Sequence, residues 1–303
     1  MLKLYPSWFI FLFLALLAPF VMISSDNYFL SWMSLELSLF GFLPMFSNSS
    51  QSIEGLVKYF IIQTGGSGLF LLSVLWEKFI ILEISLIMKI GLFPFFHWVP
   101  MVMSVLDWNG CMVLTTLQKI PPLILIAMLN TYFILFMSVV SVFVAGVLGM
   151  NQVYLRKLMA YSSISHGGWM ISSILVNLKV TFVYMLYYFL INLFLMTLLK
   201  SNKKDHIFML NPKKEIMLIS MCFIIIAGIP PFSMFLMKGL VLMSMNWSMF
   251  LSFIMILGSS MSAFFYMNFC VPNLSRFSIL YFKSVNMMMI FLLSLSGIVL
   301  ILI

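Results

Sequence analysis

The feature that most constrains this chain is its succession of long apolar runs, each about 20 residues in length and separated by short polar breaks. About 20 consecutive apolar residues form a helix that crosses the hydrocarbon core of a bilayer. Charged residues make up only 8% of the sequence, whereas an average soluble domain contains about 25%. Such a chain cannot cover a globular surface with polar groups. The pattern therefore excludes a soluble enzyme and predicts an all-α polytopic membrane protein.

Eleven candidate membrane spans appear when the apolar runs are divided at their polar breaks. The connections between them are too short to hold an extramembrane domain, so we expect a single membrane domain over residues 1–303. The spans lie at about residues 5–24, 27–46, 54–75, 79–93, 109–129, 131–150, 156–176, 179–199, 215–244, 247–270 and 284–303.

The basic residues fall very unequally on the two sides of this eleven-span arrangement. One side receives ten of them and the other receives only Lys78 and Lys179. Because basic residues accumulate in loops that stay on the cytoplasmic or matrix side, we expect the N-terminus there and the C-terminus on the opposite side. The +8 net charge thus indicates orientation in a membrane, not nucleic acid binding. The ten residues are Lys3, Arg156, Lys157, Lys200, Lys203, Lys204, Lys213, Lys214, Arg276 and Lys283.

Two short segments interrupt the apolar pattern in a similar way. Residues 91–95 read GLFPF in the fourth span, and residues 228–232 read GIPPF in the ninth. Spans separated by an odd number cross the membrane in opposite directions, and discontinuous helices repeated with inverted topology are typical of transporters. Five similar residues also arise by chance in so biased a composition, so the pattern alone leaves this repeat open.

Four ionisable residues, Glu36, Lys89, Lys119 and Lys238, lie inside the candidate spans. Glu36 is about ten residues into the second span, roughly 15 Å along a helix. An ionisable group at the centre of a bilayer costs at least about 2.5–3.5 kcal/mol, and such groups mark functional sites. Glu83 lies closer to the end of its span, so we expect it to be an interfacial group.

Buried lysines and glutamates are suited to proton translocation. Burial destabilises the charged form of a lysine, and a nearby carboxylate stabilises it, so separating the two promotes proton release. His166, about ten residues into the seventh span, is a further candidate relay. The alternatives are that the four charges only pair or extend toward the interface, and that His166 is hydrogen-bonded between helices.

The most specific pattern in the sequence runs from Met150 to Met170 and reads MNQVYLRKLMAYSSISHGGWM. It resembles the N-Q-x-x-x-R-K-x-x-A-Y-S-S-I-x-H-x-G-W signature of the chain 2 family of mitochondrial NADH–ubiquinone oxidoreductase, respiratory complex I. Shorter segments resemble motifs of the same family and occur in the same order. These are Ser34–Glu36, Met88–Phe95, Leu117–Ile120, and Gly228–Phe232 with Lys238.

The resemblance implies an antiporter-like fold of two inverted five-helix halves, about 5–129 and 131–270, followed by a lateral helix at 284–303. It also implies that Glu36 pairs with Lys89, that Lys119 is the central proton carrier, and that Lys238 serves the second half-channel. Such a subunit couples electron transfer from NADH to ubiquinone to proton translocation, and it belongs to the enzyme without carrying a redox centre.

The same resemblance implies a location in the mitochondrial inner membrane, with the N-terminus on the matrix side and the C-terminus on the intermembrane-space side. The expected partners are the bilayer and other membrane-arm subunits, especially neighbouring antiporter-like subunits, with no nucleic acid. We expect no cofactor or metal on this chain, since NADH, FMN, the iron–sulfur clusters and ubiquinone would bind elsewhere in the complex.

The sequence departs from the family pattern at several places. Leu117 replaces the tryptophan before Gln-Lys, Met237 replaces the proline before the last lysine, and Met101 replaces an acid. His97 is displaced by one position, which leaves its role open. Two alternative functions also remain, namely a stand-alone cation/proton antiporter subunit and a structural, non-conducting membrane subunit.

Overall fold

The computed structural model describes residues 6–46, 50–129, 131–202, 214–230, 232–245 and 249–275. Within these ranges the chain is almost entirely helical, in agreement with the all-α class. The span expected at 284–303 lies outside the described residues, as do Lys3, Lys203, Lys204, Lys213, Arg276 and Lys283. The chain divides into two compact units, Met1–Met137 and Ser138–Ile303.

The first unit begins with a long series of helices that follows most of the expected spans. Two short 3₁₀ turns, Leu43–Met45 and Leu117–Lys119, end the second helix and separate the sixth from the seventh. The helices are α1 (Pro6–Ile23), α2 (Tyr28–Phe42), α3 (Ser50–Leu75), α4 (Phe79–Ile90), α5 (Trp98–Val105), α6 (Trp108–Thr115) and α7 (Ile120–Leu129).

The second unit contains most of α8 and the helices that follow it. The boundary between the units falls inside α8, after Met137. The helices are α8 (Tyr132–Met150), α9 (Leu155–Ile174), α10 (Leu178–Asn202), α11 (Lys214–Ala227), α12 (Ser233–Ser244) and α13 (Met249–Ser275).

Five helical segments of the described chain are long and apolar enough to cross a membrane. Fewer segments meet this criterion than the eleven candidate spans because several helices are short, such as α2 with 15 residues and α4 with 12. The five segments are Ser52–Leu75, Trp108–Leu129, Tyr132–Met150, Leu178–Ser201 and Met249–Val271.

Small residues allow the closest packing in the first unit, where α1 lies along α2 and α3 along α4. A Cβ atom at Gly41 would lie 2.7 Å from the backbone nitrogen of Ala15, so the two backbones are almost in contact. Ala15 and Ala18 of α1 are both buried. Close approach over small residues is the usual way in which helices associate in lipid, where apolar burial gives little discrimination.

Helix α9 forms the interior of the second unit although it is rich in polar residues. Eighteen of its 20 residues are buried, and it packs against α10, α12 and α13. Its serines are accommodated because their hydroxyls donate to the carbonyl three residues earlier, as Ser165 does to Ser162. The segment with the most specific family motif is therefore the one most enclosed by its neighbours.

Helix α4 ends earlier than the expected span because Gly91 adopts a left-handed backbone conformation, with φ of +78°. A Cβ atom there would collide with the Cγ2 atom of Val99. The chain then forms an irregular segment and a new helix, α5, begins at Trp98. Apolar periodicity did not predict α5, since it has only 8 residues.

Replacing Gly91 with alanine should destabilise the protein, because the left-handed conformation and the contact with Val99 both disfavour a side chain. We expect a loss of about 1–3 kcal/mol. The matched control is Gly68→Ala on α3, where no atom lies within 4 Å of the added Cβ. The difference in stability is measured by heating the assembled complex and following its disappearance from native gels. Equal stability of the two variants would contradict the prediction.

Candidate functional site

Three of the four predicted site residues lie in the first unit, on three different helical segments. Glu36 is on α2, Lys89 is in the last turn of α4, and Lys119 ends the 3₁₀ turn between α6 and α7. Lys89 is 6% exposed and Lys119 is 4% exposed. Lys238, on α12 of the second unit, is 7% exposed. All three lysines are therefore buried inside their own unit.

The buried end of α4 is completed by donors from neighbouring helices. The last turn of any helix leaves carbonyls without a helical partner. The indole nitrogen of Trp98 donates to the Met88 carbonyl at 3.2 Å, and the Gln63 amide donates to the Lys89 carbonyl at 3.1 Å. The Gly91 amide donates to the Ile87 carbonyl. Lys89 thus lies at the negative end of a helix whose terminal carbonyls are satisfied by neutral groups.

Glu36 interacts with Lys89 through space and not by direct contact. Its carboxylate acts electrostatically on the Lys89 ammonium and on the Tyr59 hydroxyl. Its Oε1 atom is buried and has no hydrogen-bond partner among the described residues. An ion pair at contact distance joins Lys58 and Glu54 on the exposed surface of α3.

A small cavity connects Lys89 with Lys119. Both lysines line it, and its water-accessible volume is about 10 Å³. Tyr59 donates a hydrogen bond to Gln118 at 3.2 Å, and Gln118 donates to the Ser38 carbonyl at 2.6 Å. All three of these residues also line the cavity. The arrangement places polar groups beside both lysines.

Several residues of this site were not found from the sequence. Tyr59 and Gln63 lie four residues apart within an apolar span, so they share one face of α3. That spacing was the available signal, as was the position of Gln118 next to Lys119. Trp98 gave no signal, because its role depends on a hydrogen bond to a carbonyl ten residues away.

In the second unit, Lys238 completes the end of α11. Its ammonium donates to the Ala227 carbonyl at 3.0 Å and lies 5.8 Å from the centre of the Trp169 ring. Gly228, in the left-handed conformation with φ of +76°, leaves room for the lysine, since a Cβ there would be 3.2 Å from the Nζ atom. The charge is held by a helix terminus and an aromatic face.

His166 is buried in α9 and contacts two tyrosines of α10. Its Nδ1 atom lies 2.8 Å from the Tyr184 hydroxyl, and its ring stacks on Tyr188 with centroids 4.7 Å apart. The Tyr188 hydroxyl is buried without a hydrogen-bond partner among the described residues. This geometry gives one ring nitrogen a hydroxyl partner, which suits a proton relay and equally satisfies a structural histidine.

Two further ionisable residues were considered in the sequence. His97 is exposed and its ring packs on Phe96, so it lies apart from the buried lysines. Glu83, which we expect to be an interfacial group, is only 3% exposed. Its position near the start of α4 does not determine its exposure, because neighbouring helices cover it.

No group of three or more His, Cys, Asp or Glu side chains suited to a metal ion occurs among the described residues. The cysteines Cys111, Cys222 and Cys270 are buried. Besides these cysteines, the buried titratable groups of the described chain include lysines, Glu83, tyrosines and His166.

Comparison with known proteins identifies the class of membrane protein to which the chain belongs. Residues 77–265 match the family of transmembrane NADH:quinone oxidoreductase/Mrp antiporter subunits. The fold is similar to a chain of respiratory complex I from Thermus thermophilus, with a TM-score of 0.79, 17% identity, and coverage of 97% of this chain and 76% of that one. It is also similar to a chain of the Mrp complex from Dietzia, with a TM-score of 0.75, 11% identity, and coverage of 86% and 59%. The chain thus has an antiporter-like membrane fold.

The sequence of a related protein identifies the family within this class. NADH-ubiquinone oxidoreductase chain 2 of Lumbricus terrestris is 34% identical over 282 residues, which cover 86% of this chain and 84% of that protein. The chain belongs to the NADH-ubiquinone oxidoreductase chain 2 family. The resemblance noted in the sequence is confirmed.

Replacing Trp98 with phenylalanine should destabilise the end of α4, because an aromatic ring remains but the Met88 carbonyl loses its side-chain donor. A buried carbonyl left without a partner costs about 1–3 kcal/mol. The control is Trp76→Phe, at an exposed indole in the α3–α4 connection. Hydrogen exchange at the end of α4, measured by mass spectrometry, should rise in the Trp98 variant alone. Unchanged exchange there would show that the hydrogen bond contributes nothing.

Proposed function

We propose that this chain is the antiporter-like membrane subunit through which complex I couples electron transfer from NADH to ubiquinone to proton translocation across the mitochondrial inner membrane. The observation that carries this proposal is the burial of Lys89, Lys119 and Lys238, each at most 7% exposed, within an antiporter-like fold. A purely structural subunit has no need of three costly buried ammonium groups.

In the proposed mechanism, Glu36 controls the charge state of Lys89. When the carboxylate approaches, the ammonium form of Lys89 is stabilised, and when it withdraws, Lys89 releases its proton. The present geometry, with electrostatic attraction but no ion pair between the two, supports such a movable pair. Lys119, which lines the same cavity as Lys89, is the acceptor.

The second unit has its own proton carrier, Lys238, which lies at the end of α11. Its ammonium is stabilised by the Ala227 carbonyl and the Trp169 ring, neither of which is charged. Proton release from Lys238 therefore requires no carboxylate to move away. His166 relays protons within this unit, supported by the short contact between its Nδ1 atom and the Tyr184 hydroxyl.

We further infer that the chain crosses the membrane eleven times, in two inverted halves with a final lateral helix. Helices α4 and α11 each end at a glycine with positive φ, and this similarity supports two discontinuous membrane helices. In this topology the N-terminus faces the matrix and the C-terminus faces the intermembrane space. Neighbouring antiporter-like subunits are the partners, and the nucleotide, flavin, iron–sulfur clusters and quinone bind elsewhere in the complex.

Two other functions share the fold. A stand-alone cation/proton antiporter subunit agrees with the similarity to the Mrp complex, and it would not copurify with an NADH-oxidising arm. A non-conducting structural subunit would tolerate loss of its buried charges without loss of pumping. The family assignment and the buried lysines together favour the proton-translocating subunit.

Replacing Lys119 with alanine should strongly reduce the number of protons pumped per NADH oxidised, because the central acceptor is lost. The control is Lys58→Ala on α3, where the lysine is 47% exposed and paired with Glu54. Proton uptake into vesicles containing the reconstituted complex measures both variants against the oxidation rate. A Lys119 variant that assembles and keeps the wild-type proton ratio would refute the mechanism.

The proposed topology predicts which face of the membrane each loop occupies. A cysteine at position 78 should react with an impermeant maleimide added from the intermembrane space, and one at position 157 only when the matrix side is open. The native cysteines Cys111, Cys222 and Cys270 are buried and should contribute little background. Labelling of both positions from the same side would exclude this arrangement of spans.

A further inference from the structure

Another cavity of the first unit lies beside the connection between α3 and α4. Its water-accessible volume is about 430 Å³, which is within the range of small-molecule sites, about 300–1,000 Å³. Its lining includes Tyr28 at the start of α2, and Glu77 and Lys78 in the α3–α4 connection. None of these three residues takes part in the proposed proton pathway, so the cavity needs a separate explanation.

The α3–α4 connection is a tight turn that places an acid directly beside a base. The Lys78 amide donates to the Ser73 carbonyl at 3.1 Å, and Glu77 adopts the left-handed conformation with φ of +52°. This bond and the left-handed residue are the features of a Schellman motif, which fixes the backbone at the end of a helix. Glu77 and Lys78 are both exposed and both line the cavity. The turn therefore holds one negative and one positive side chain beside the same cavity.

The start of α4 gives this cavity a further preference for an anion. The first amides of a helix have no helical acceptor, and helix N-termini favour phosphate groups. Lys78, the N-cap of α4, makes no side-chain cap hydrogen bond, and Lys78, Phe79 and Leu82 all line the cavity. A phosphate here is attracted both by the helix terminus and by the Lys78 ammonium, whereas the adjacent Glu77 carboxylate attracts a cation.

The residues that flank the cavity are mainly apolar or aromatic, as expected at the boundary between hydrocarbon and water. Four of them are each at least 60% exposed, namely Leu75, Trp76, Phe79 and Ile80. Tryptophan and tyrosine, here Trp76 and Tyr28, are enriched at the level of lipid head groups. In the proposed topology the α1–α2 and α3–α4 connections lie on the same side of the membrane. The cavity then faces the head groups of one leaflet.

We propose that this cavity binds the head group of a phosphatidylethanolamine molecule. The phosphate accepts hydrogen bonds from the Lys78 ammonium and the Tyr28 hydroxyl, and the lipid ammonium donates to the Glu77 carboxylate. The acyl chains lie along the exposed side chains of Leu75 and Ile80. An anionic head group would leave Glu77 beside a second negative charge, and a choline head group has no N–H to donate to it. This inference goes beyond the proposed function, because it does not depend on proton transfer.

The test uses assembled complex I in nanodiscs and lipid probes that carry a photoactivatable diazirine on the acyl chain, close to the glycerol. We expect the phosphatidylethanolamine probe to label the peptide that contains Tyr28, and Glu77→Asn with Lys78→Gln to reduce this labelling several-fold. Asparagine tolerates the left-handed conformation, so the turn is kept. The matched control is Glu54→Gln with Lys58→Gln, an exposed acid–base pair of α3 outside the cavity, which should be labelled as the wild type is.

A second variant, Tyr28→Phe, removes the hydroxyl and keeps the ring, and it should also lower the labelling. Probes with choline or glycerol head groups should label the peptide less than the ethanolamine probe does. Equal labelling by the three probes, or unchanged labelling of the charge variant, would show an unselective lipid contact and overturn the proposal. A neighbouring subunit that fills the cavity in a density map of the complex would overturn it as well. The proposed proton-translocating function is tested separately by the Lys119 variant.

Discussion

The interaction on which this structure depends is the satisfaction of carbonyl groups where a helix ends inside the protein. The C-terminal end of a helix leaves up to four carbonyls without a helical hydrogen-bond donor. In the core of a bilayer, no water is present to supply the missing donor. Helices α4 and α11 both end at a buried or half-buried glycine with positive φ. The two units use different donors for the carbonyls at these helix ends, and Lys238 is itself one of the donors whereas Lys89 is not.

In the first unit the donors are neutral, and in the second the donor is the lysine itself. Trp98 and Gln63 satisfy the end of α4, so the ammonium of Lys89 remains available for Glu36 and for the cavity shared with Lys119. At α11 the Lys238 ammonium occupies the terminus directly, by its bond to the Ala227 carbonyl. Lys89 belongs to the last turn of α4, and the Lys238 ammonium binds the terminal carbonyl of α11, so both lysines are near helix ends where positive charge is favoured. A buried lysine is thereby stabilised without a permanent ion pair.

Part of this arrangement could be predicted from the sequence. The apolar runs place α1, α3, α8 and α10 to within a few residues, because length and hydropathy alone decide whether a helix can span a bilayer. The cost of a buried charge identified Lys89, Lys119 and Lys238 as unusual, and each is buried in the structure. These features depend on one residue or one segment at a time.

The rest depends on contacts between segments far apart in the chain. Gln118 bonds to a carbonyl 80 residues away and Tyr59 to a side chain 59 residues away, so neither role is visible in local patterns. The burial of Glu83 was missed for the same reason. Helix α5 was missed because 8 residues are too few for a periodic signal. In the sequence, the similarity between the two helix ends was visible only as a short segment of five residues. In the structure, both segments begin with a glycine in the left-handed backbone conformation.

The central claim is that the buried lysines act by releasing protons and not merely by carrying charge. Replacement of Lys119 by arginine separates these two roles, because arginine keeps the positive charge but does not deprotonate in proteins. The decisive measurement is the ratio of protons translocated to NADH oxidised in the assembled complex with this variant. We expect a lowered ratio with normal assembly. A wild-type ratio would show that the charge alone suffices, and it would contradict proton transfer through Lys119.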